Sequence, residues 1–218
     1  MSFSVGLERL LASISSRSLR MVIIPKVRTA VLGAVGIASG TALAAMNDWL
    51  ASIDRTLVEA ASGAPDFLSP VAEAVMIFGS LVGLVAVIPF AYLRFSSFVI
   101  VVELFAAGVI ARIVSDLSKQ AFSTPRPTIE QGINVREVAD SFSFPSGHAT
   151  FAFAIATVWG TRVSSWERIA VFGLATAVAV GRLYVGAHFV VDIVGGAAVG
   201  ILVGVAVRAV ASRIVPSR

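Results

Sequence analysis

His188 and Asp192 stand four residues apart in the stretch GRLYVGAHFVVD (181–192), and the chain holds only one other histidine, His148. If this part of the chain is helical, a spacing of four puts both side chains on one face, where the carboxylate can accept the proton of one ring nitrogen. The other nitrogen is then left as an outward lone pair, and a histidine so held is a nucleophile or a base. Arg182, six residues earlier, adds a cation. A buried structural pair is the plainer account, yet an ionisable group within an apolar span is costly enough to point to function.

Two further polar clusters share this character. SFSFPSGHATFAFA (141–154) sets Pro145, Ser146, Gly147 and His148 at the mouth of an apolar run. Proline suits a first helical turn, and the unpaired amides and positive dipole end of a helix N-terminus favour an anion. Gly147 permits close approach there, while the plainer reading makes Ser146 a cap and His148 an interfacial side chain. KQAFSTPRP (119–127) places Lys119 at the end of another apolar run and holds Arg126 between Pro125 and Pro127. Proline after Arg126 biases it to extended backbone, so its side chain is presented from a stiff loop. Two fixed cations suit a phosphate; they equally suit anchoring of a helix end at lipid headgroups.

The elements that must position these groups are apolar. The 218 residues are 57% hydrophobic and 14% charged, with a mean hydropathy of +0.90, which describes an integral membrane protein and not a soluble domain. Cysteine is absent, so disulfides and thiolate metal sites are excluded, and two histidines supply a metal shell poorly. No metal or cofactor is expected. The net charge of +4 bears on orientation and anionic lipid before nucleic acid, which is not expected as a partner.

Six apolar runs are separated by short polar pieces, with no linker that would divide residues 1–218 into domains: Thr29 to Met46, Phe67 to Leu93, Phe98 to Ser118, Pro145 to Gly160, Ile169 to Val180 and Ala187 to Val207. The expectation is an all-α polytopic membrane bundle of six transmembrane helices, each measured against the ~20 residues a span needs. The fourth and fifth runs are short, so their polar ends are expected below headgroup level, sheltered by neighbouring helices. Residues 1–20 place Val5, Leu7, Leu10, Leu11 and Ile14 near helical spacing with arginines between, the pattern of a short interfacial helix. The ALA at 42–44 resembles a signal cleavage site, but the basic region before it is long, and the segment reads as an uncleaved first helix.

With the N-terminus inside, the outer segments hold Arg55, Lys119, Arg126, Arg136 and Arg182, Arg112 lies within the third run, and the remaining eleven of the 17 Lys and Arg fall inside. The bias places both termini in the cytoplasm and all three polar clusters on the extracytoplasmic side. After Asp192, Gly196, Gly200 and Gly204 recur at four-residue steps. That stripe drifts only ~40° per step, and it reads as a packing face against another helix, without chemistry of its own.

Lys119, Arg126 and Pro127, then PSGH at 145–148, then Arg182, His188 and Asp192, resemble in order and spacing the three-part signature of the type 2 phosphatidic acid phosphatase superfamily, the lipid phosphate phosphatases. The resemblance implies that His188 attacks phosphorus to form a phosphohistidine, with Asp192 orienting it. His148 would protonate the leaving oxygen and later activate water. Lys119, Arg126, Arg182, Ser146 and the Gly147 backbone would bind the phosphate oxygens, and no metal is needed. Gly181 departs from the pattern, since the family usually has serine just before the arginine of the third part; this bears on rate or substrate preference more than on reaction type. The implied partner is a membrane lipid phosphate within the bilayer, with an isoprenyl diphosphate ranked before phosphatidic acid and phosphatidylglycerol phosphate. A headgroup transporter could use the same cations but has no need of the histidine and aspartate pair. A haloperoxidase shares the pocket by resemblance, but so apolar a chain disfavours it. The loop from Thr128 to Phe144, with Glu130, Arg136, Glu137 and Asp140, carries charges to which this chemistry assigns no task.

Overall fold

The computed structural model describes residues 51–214. The first apolar run, the expected interfacial helix and the ALA stretch lie outside them. From Ile53 onward the chain forms one compact unit, and its regular structure is helical throughout the described residues. After α1 (51–62) come α2 (Ser69–Met76), α3 (Leu81–Phe95), α4 (Phe98–Phe122), α5 (Gly147–Gly160), α6 (Ser165–Tyr184) and α7 (Val190–Ile214).

Among the described residues, α4 and α7 are each long and apolar enough to cross a membrane, and α2 with α3 forms a third such unit bent by 70°. This bend corrects the expectation of one continuous run from Phe67 to Leu93. A 3-10 turn at Ile77–Gly79 and an extended Ser80, whose hydroxyl accepts from the Gly83 amide, restart the helix in a new direction. The fifth run also differs: α6 starts well before Ile169, because Ser164 and Glu167 form a reciprocal capping box.

Helix α5 is the axis of the bundle. It packs against α4, α6 and α7, and from Ala149 to Gly160 almost every residue is buried, as expected of a helix apolar on all sides. Its 14 residues rise about 21 Å, short of a hydrocarbon core about 30 Å thick. Close packing against α7 comes from the glycine stripe. A Cβ at Gly196 would lie 3.0 Å from that of Ala149, and one at Gly204 would lie 2.6 Å from that of Thr157. Towards the far end of α5, Trp159 stacks on Phe90 at 5.7 Å and meets Phe95 edge-on at 5.1 Å. Outward-facing Val82, Leu93, Phe105, Leu117, Val194 and Leu202 are exposed, an apolar belt suited to lipid.

The far end is closed by charge. Glu103, buried on α4, takes two hydrogen bonds from Arg162 and one from Arg208 on α7, the latter at 2.7 Å. This joins α4, the α5–α6 connection and α7 at the end opposite the three polar clusters.

Candidate active site

The sequence places the site at four helix ends: the C-terminal ends of α4 and α6 and the N-terminal ends of α5 and α7. The structure brings these ends together. Helix α4 stops at Ser123, which adopts the left-handed region (φ 49°), and the following loop runs back across the α6–α7 connection. At that connection Gly186 has φ 67°, and a Cβ there would lie 3.0 Å from the Val135 backbone. Glycine is required on both counts.

Helix α7 begins at Val190 and not at Ala187, so His188 sits in the connection just before it. The expected pair forms nonetheless, by a different route. Asp192 lies in the first turn of α7 and its Oδ2 accepts the Phe189 amide at 2.8 Å, capping the helix, while the same oxygen lies 3.3 Å from His188 Nδ1. Ser143 donates a short hydrogen bond to Oδ2 and lies 3.3 Å from Nδ1. Asp54 of α1 accepts the Val190 amide. All three of His188, Asp192 and Ser143 are buried. An Nδ1–H directed at Asp192 leaves Nε2 as the lone pair.

Arg126 meets that lone pair: its Nη1 lies 3.3 Å from His188 Nε2. Its other bonds hold it in place, with Nε donating to the Ser141 carbonyl at 2.6 Å, Nη1 to the Ala187 carbonyl at 2.7 Å and Nη2 to Ser141 Oγ at 3.0 Å. Burial, followed by the nearby Arg182 charge, lowers its pKa from the ordinary arginine value. Lys119 joins the group through Ser141, with Nζ 3.4 Å from Oγ.

Ser146 is the N-cap residue of α5, which places Pro145 one position before the cap instead of in the first turn. Its amide donates to the Asp192 carbonyl at 2.9 Å, so the α5 and α7 N-termini abut. The Ser146 hydroxyl does not cap the helix; it is buried without a hydrogen-bond partner among the described residues. Ser115 Oγ on α4 is in the same condition, 3.3 Å from where a Gly147 Cβ would stand. An orphaned buried hydroxyl costs about 1–3 kcal/mol, a cost that a bound oxyanion would offset. His148, half-buried, makes no side-chain hydrogen bond among the described residues. It packs on the bend between α2 and α3, where a Cβ at Gly79 would come within 3.1 Å of its ring. Arg182 is buried at the end of α6 and its fork is held by Glu137. A Cβ at the divergent Gly181 would press on Met76 at 2.8 Å, so the missing serine marks a helix contact with α2.

Ser141 and Ser143 were not singled out in the sequence, although a signal exists. In extended chain the alternation Ser-Phe-Ser-Phe puts both hydroxyls on one side. Ser115 and Gly79 lie within apolar runs and give no such sign.

The assembled site holds a buried imidazole oriented by a carboxylate, a second imidazole, three cations and a helix N-terminus, a set suited to an oxyanion and to a transferable group on it. Residues 98–215, more than half of the chain, match the PAP2 superfamily, and the chain belongs to that superfamily. Undecaprenyl-diphosphatase BcrC of Bacillus subtilis (strain 168) is 33% identical over 101 residues, 44% of this chain and 50% of that protein. Putative undecaprenyl-diphosphatase YbjG of Escherichia coli (strain K12) is 32% identical over 106 residues, 47% of this chain and 52% of that protein. The chain thus spans about half the length of these curated relatives. The fold resembles the crystal structure of a PAP2-type phosphatidylglycerolphosphate phosphatase from Bacillus subtilis, with a TM-score of 0.65 at 22% identity, covering 77% of this chain and 88% of that one.

Proposed function

We propose that this chain is a lipid phosphatase that removes a phosphoryl group from a membrane lipid phosphate or diphosphate through a phosphohistidine on His188, without a metal ion. The observation that carries the reading is the two-sided hold on His188, with Asp192 at Nδ1 and Arg126 at Nε2. The Nε2 lone pair attacks phosphorus and the bond to the lipid oxygen breaks. His148 gives its proton to that oxygen, releasing an alcohol from a monophosphate or a lipid monophosphate from a diphosphate. A water molecule deprotonated by His148 then attacks the phosphohistidine, the P–N bond breaks, and inorganic phosphate leaves. Lys119, Arg126, Arg182, the Ser146 hydroxyl and the α5 amides at Gly147 hold the oxygens on which charge accumulates, as a metal ion does in other phosphoryl transfers.

The domain is read as a single membrane-embedded unit of six spans in the cell membrane, with both termini cytoplasmic and the site extracytoplasmic, on the strength of the basic-residue bias. An isoprenyl diphosphate such as undecaprenyl diphosphate ranks first as substrate, supported by the names of two relatives about one-third identical. The test is phosphate release by the purified protein in detergent with a chelator present, from isoprenyl diphosphate, phosphatidic acid and phosphatidylglycerol phosphate. The diphosphate is expected to turn over fastest. Faster release from phosphatidic acid or phosphatidylglycerol phosphate would replace the substrate, and dependence on magnesium would refute the metal-free chemistry. A cysteine at Thr128 should label from outside and one at Arg162 from inside.

A further inference from the structure

Among the acidic residues of the α4–α5 loop, Glu137 is set apart by its partner. Arg182 Nη1 donates to its Oε2 at 2.6 Å and Nη2 to its Oε1 at 2.7 Å, the fork-on-fork geometry with which a guanidinium also holds a phosphate. The arginine side chain is 3% exposed and the glutamate 41%, so the carboxylate covers the cation and is the member free to leave. Beyond this pair, Arg182 touches Met76 Sδ at 3.6 Å, and its Nε–H has no partner among the described residues.

The backbone beneath Glu137 is fixed. The amides of Arg136 and Glu137 both donate to the Val185 carbonyl, at 2.9 and 3.3 Å. Arg136 is bound to Asp66 and to the carbonyls of Ala64 and Tyr184, and lies over the Tyr184 ring. The loop is therefore stapled to the α6–α7 connection, and Glu137 can part from Arg182 by rotation of its side chain without movement of this backbone. Its pKa lies below the ordinary glutamate value: burial pushes it up, and the Arg182 hydrogen bonds and charge, with both histidines nearby, outweigh that. The group is a standing anion.

We propose that Glu137 is the resident counter-anion of the phosphate site, exchanged for phosphoryl oxygens when substrate enters, and that it determines which headgroups the site accepts. The proposal rests on the reading of Arg182 as a phosphate ligand. A bilayer surrounds the site with phosphodiester headgroups, each carrying one negative charge. Such a group gains little by displacing a carboxylate of equal charge. A terminal phosphate or diphosphate carries about two or more charges and wins the exchange. Glu137 thus excludes the abundant singly charged lipids and admits the rare doubly charged ones.

The test uses the full chain in detergent micelles, with inorganic phosphate and phosphatidylglycerol as inhibitors of aryl phosphate hydrolysis, comparing the parent with Glu137→Asp and Glu137→Gln. Removing the competing charge should lower the half-inhibiting phosphate concentration about tenfold in Glu137→Gln. Glu137→Asp, with a shorter arm, should fall between the two, so the series remains informative even if the glutamine variant folds poorly. Phosphatidylglycerol should inhibit Glu137→Gln and leave the parent unaffected. Weaker or unchanged phosphate binding in both variants would overturn the proposal and make Glu137 a mere brace for Arg182. A parent that binds neither phosphate nor orthovanadate would instead refute the phosphatase reading.

Discussion

The two ends of the bundle use the same chemistry in inverted form. At the far end the carboxylate is buried: Glu103 is 3% exposed, while its partners Arg162 and Arg208 are 22% and 27% exposed. At the site end the cation is buried and the carboxylate is the exposed member, in the pair Arg182–Glu137. A buried anion with all its bonds satisfied by two converging cations is a clamp, because nothing arriving from outside improves on what it has. On the proposed reading, a buried cation covered by a removable anion is a receptor, because a better anion can take the cover's place. Direction of burial alone does not make a receptor, since Arg136 is likewise the more buried member of its pair with Asp66 and serves as a staple; Arg182 differs in lying close enough to Arg126 and His188 to act on both electrostatically.

The larger effect on turnover belongs to the receptor end. Arg126→Lys keeps the charge but loses the planar fork that reaches Ser141, Ala187 and His188 together. Activity should fall about 10- to 100-fold, with inhibition by orthovanadate weakened in parallel. Steady-state kinetics matching the parent would reduce the loop to a headgroup anchor. The smaller effect on turnover belongs to the clamp. Glu103→Gln removes the anion that joins Arg162 and Arg208, and because both guanidiniums keep some access to solvent the cost is about 1–3 kcal/mol. Thermal unfolding in detergent should shift to clearly lower temperature, while turnover per folded molecule stays within about twofold of the parent. An unshifted unfolding temperature with lost activity would mean that the two ends had been assigned the wrong way round.

The candidate site residues were legible because charge is sparse in this chain. In so apolar a sequence His148, His188 and Asp192 stand out, and the cations Lys119, Arg126 and Arg182 cluster where helices end. Helix existence was legible for α4 and α7 for the same reason. What could not be read was local geometry decided by tertiary contacts. The bend at Ser80 lies inside a long, mostly apolar run, and the hydrophobic pattern does not register it. The start of α7 is fixed by side chains that cap its first amides, Asp192 and the distant Asp54, so His188 falls outside the helix that its spacing to Asp192 suggested. Glu137 was visible as a charge but without a task, because its meaning lies in a partner 45 residues away.

An acid quench with labelled aryl phosphate, followed by mapping of the labelled residue, separates His188 as the nucleophile from His148 as the proton carrier. An aryl leaving group departs without a proton, so His148→Ala should still become phosphorylated, and its phosphohistidine should persist longer than in the parent because water is no longer activated. His188→Ala should carry no label and show almost no turnover. Label on His148, or equal label in the His188→Ala protein, would contradict the account.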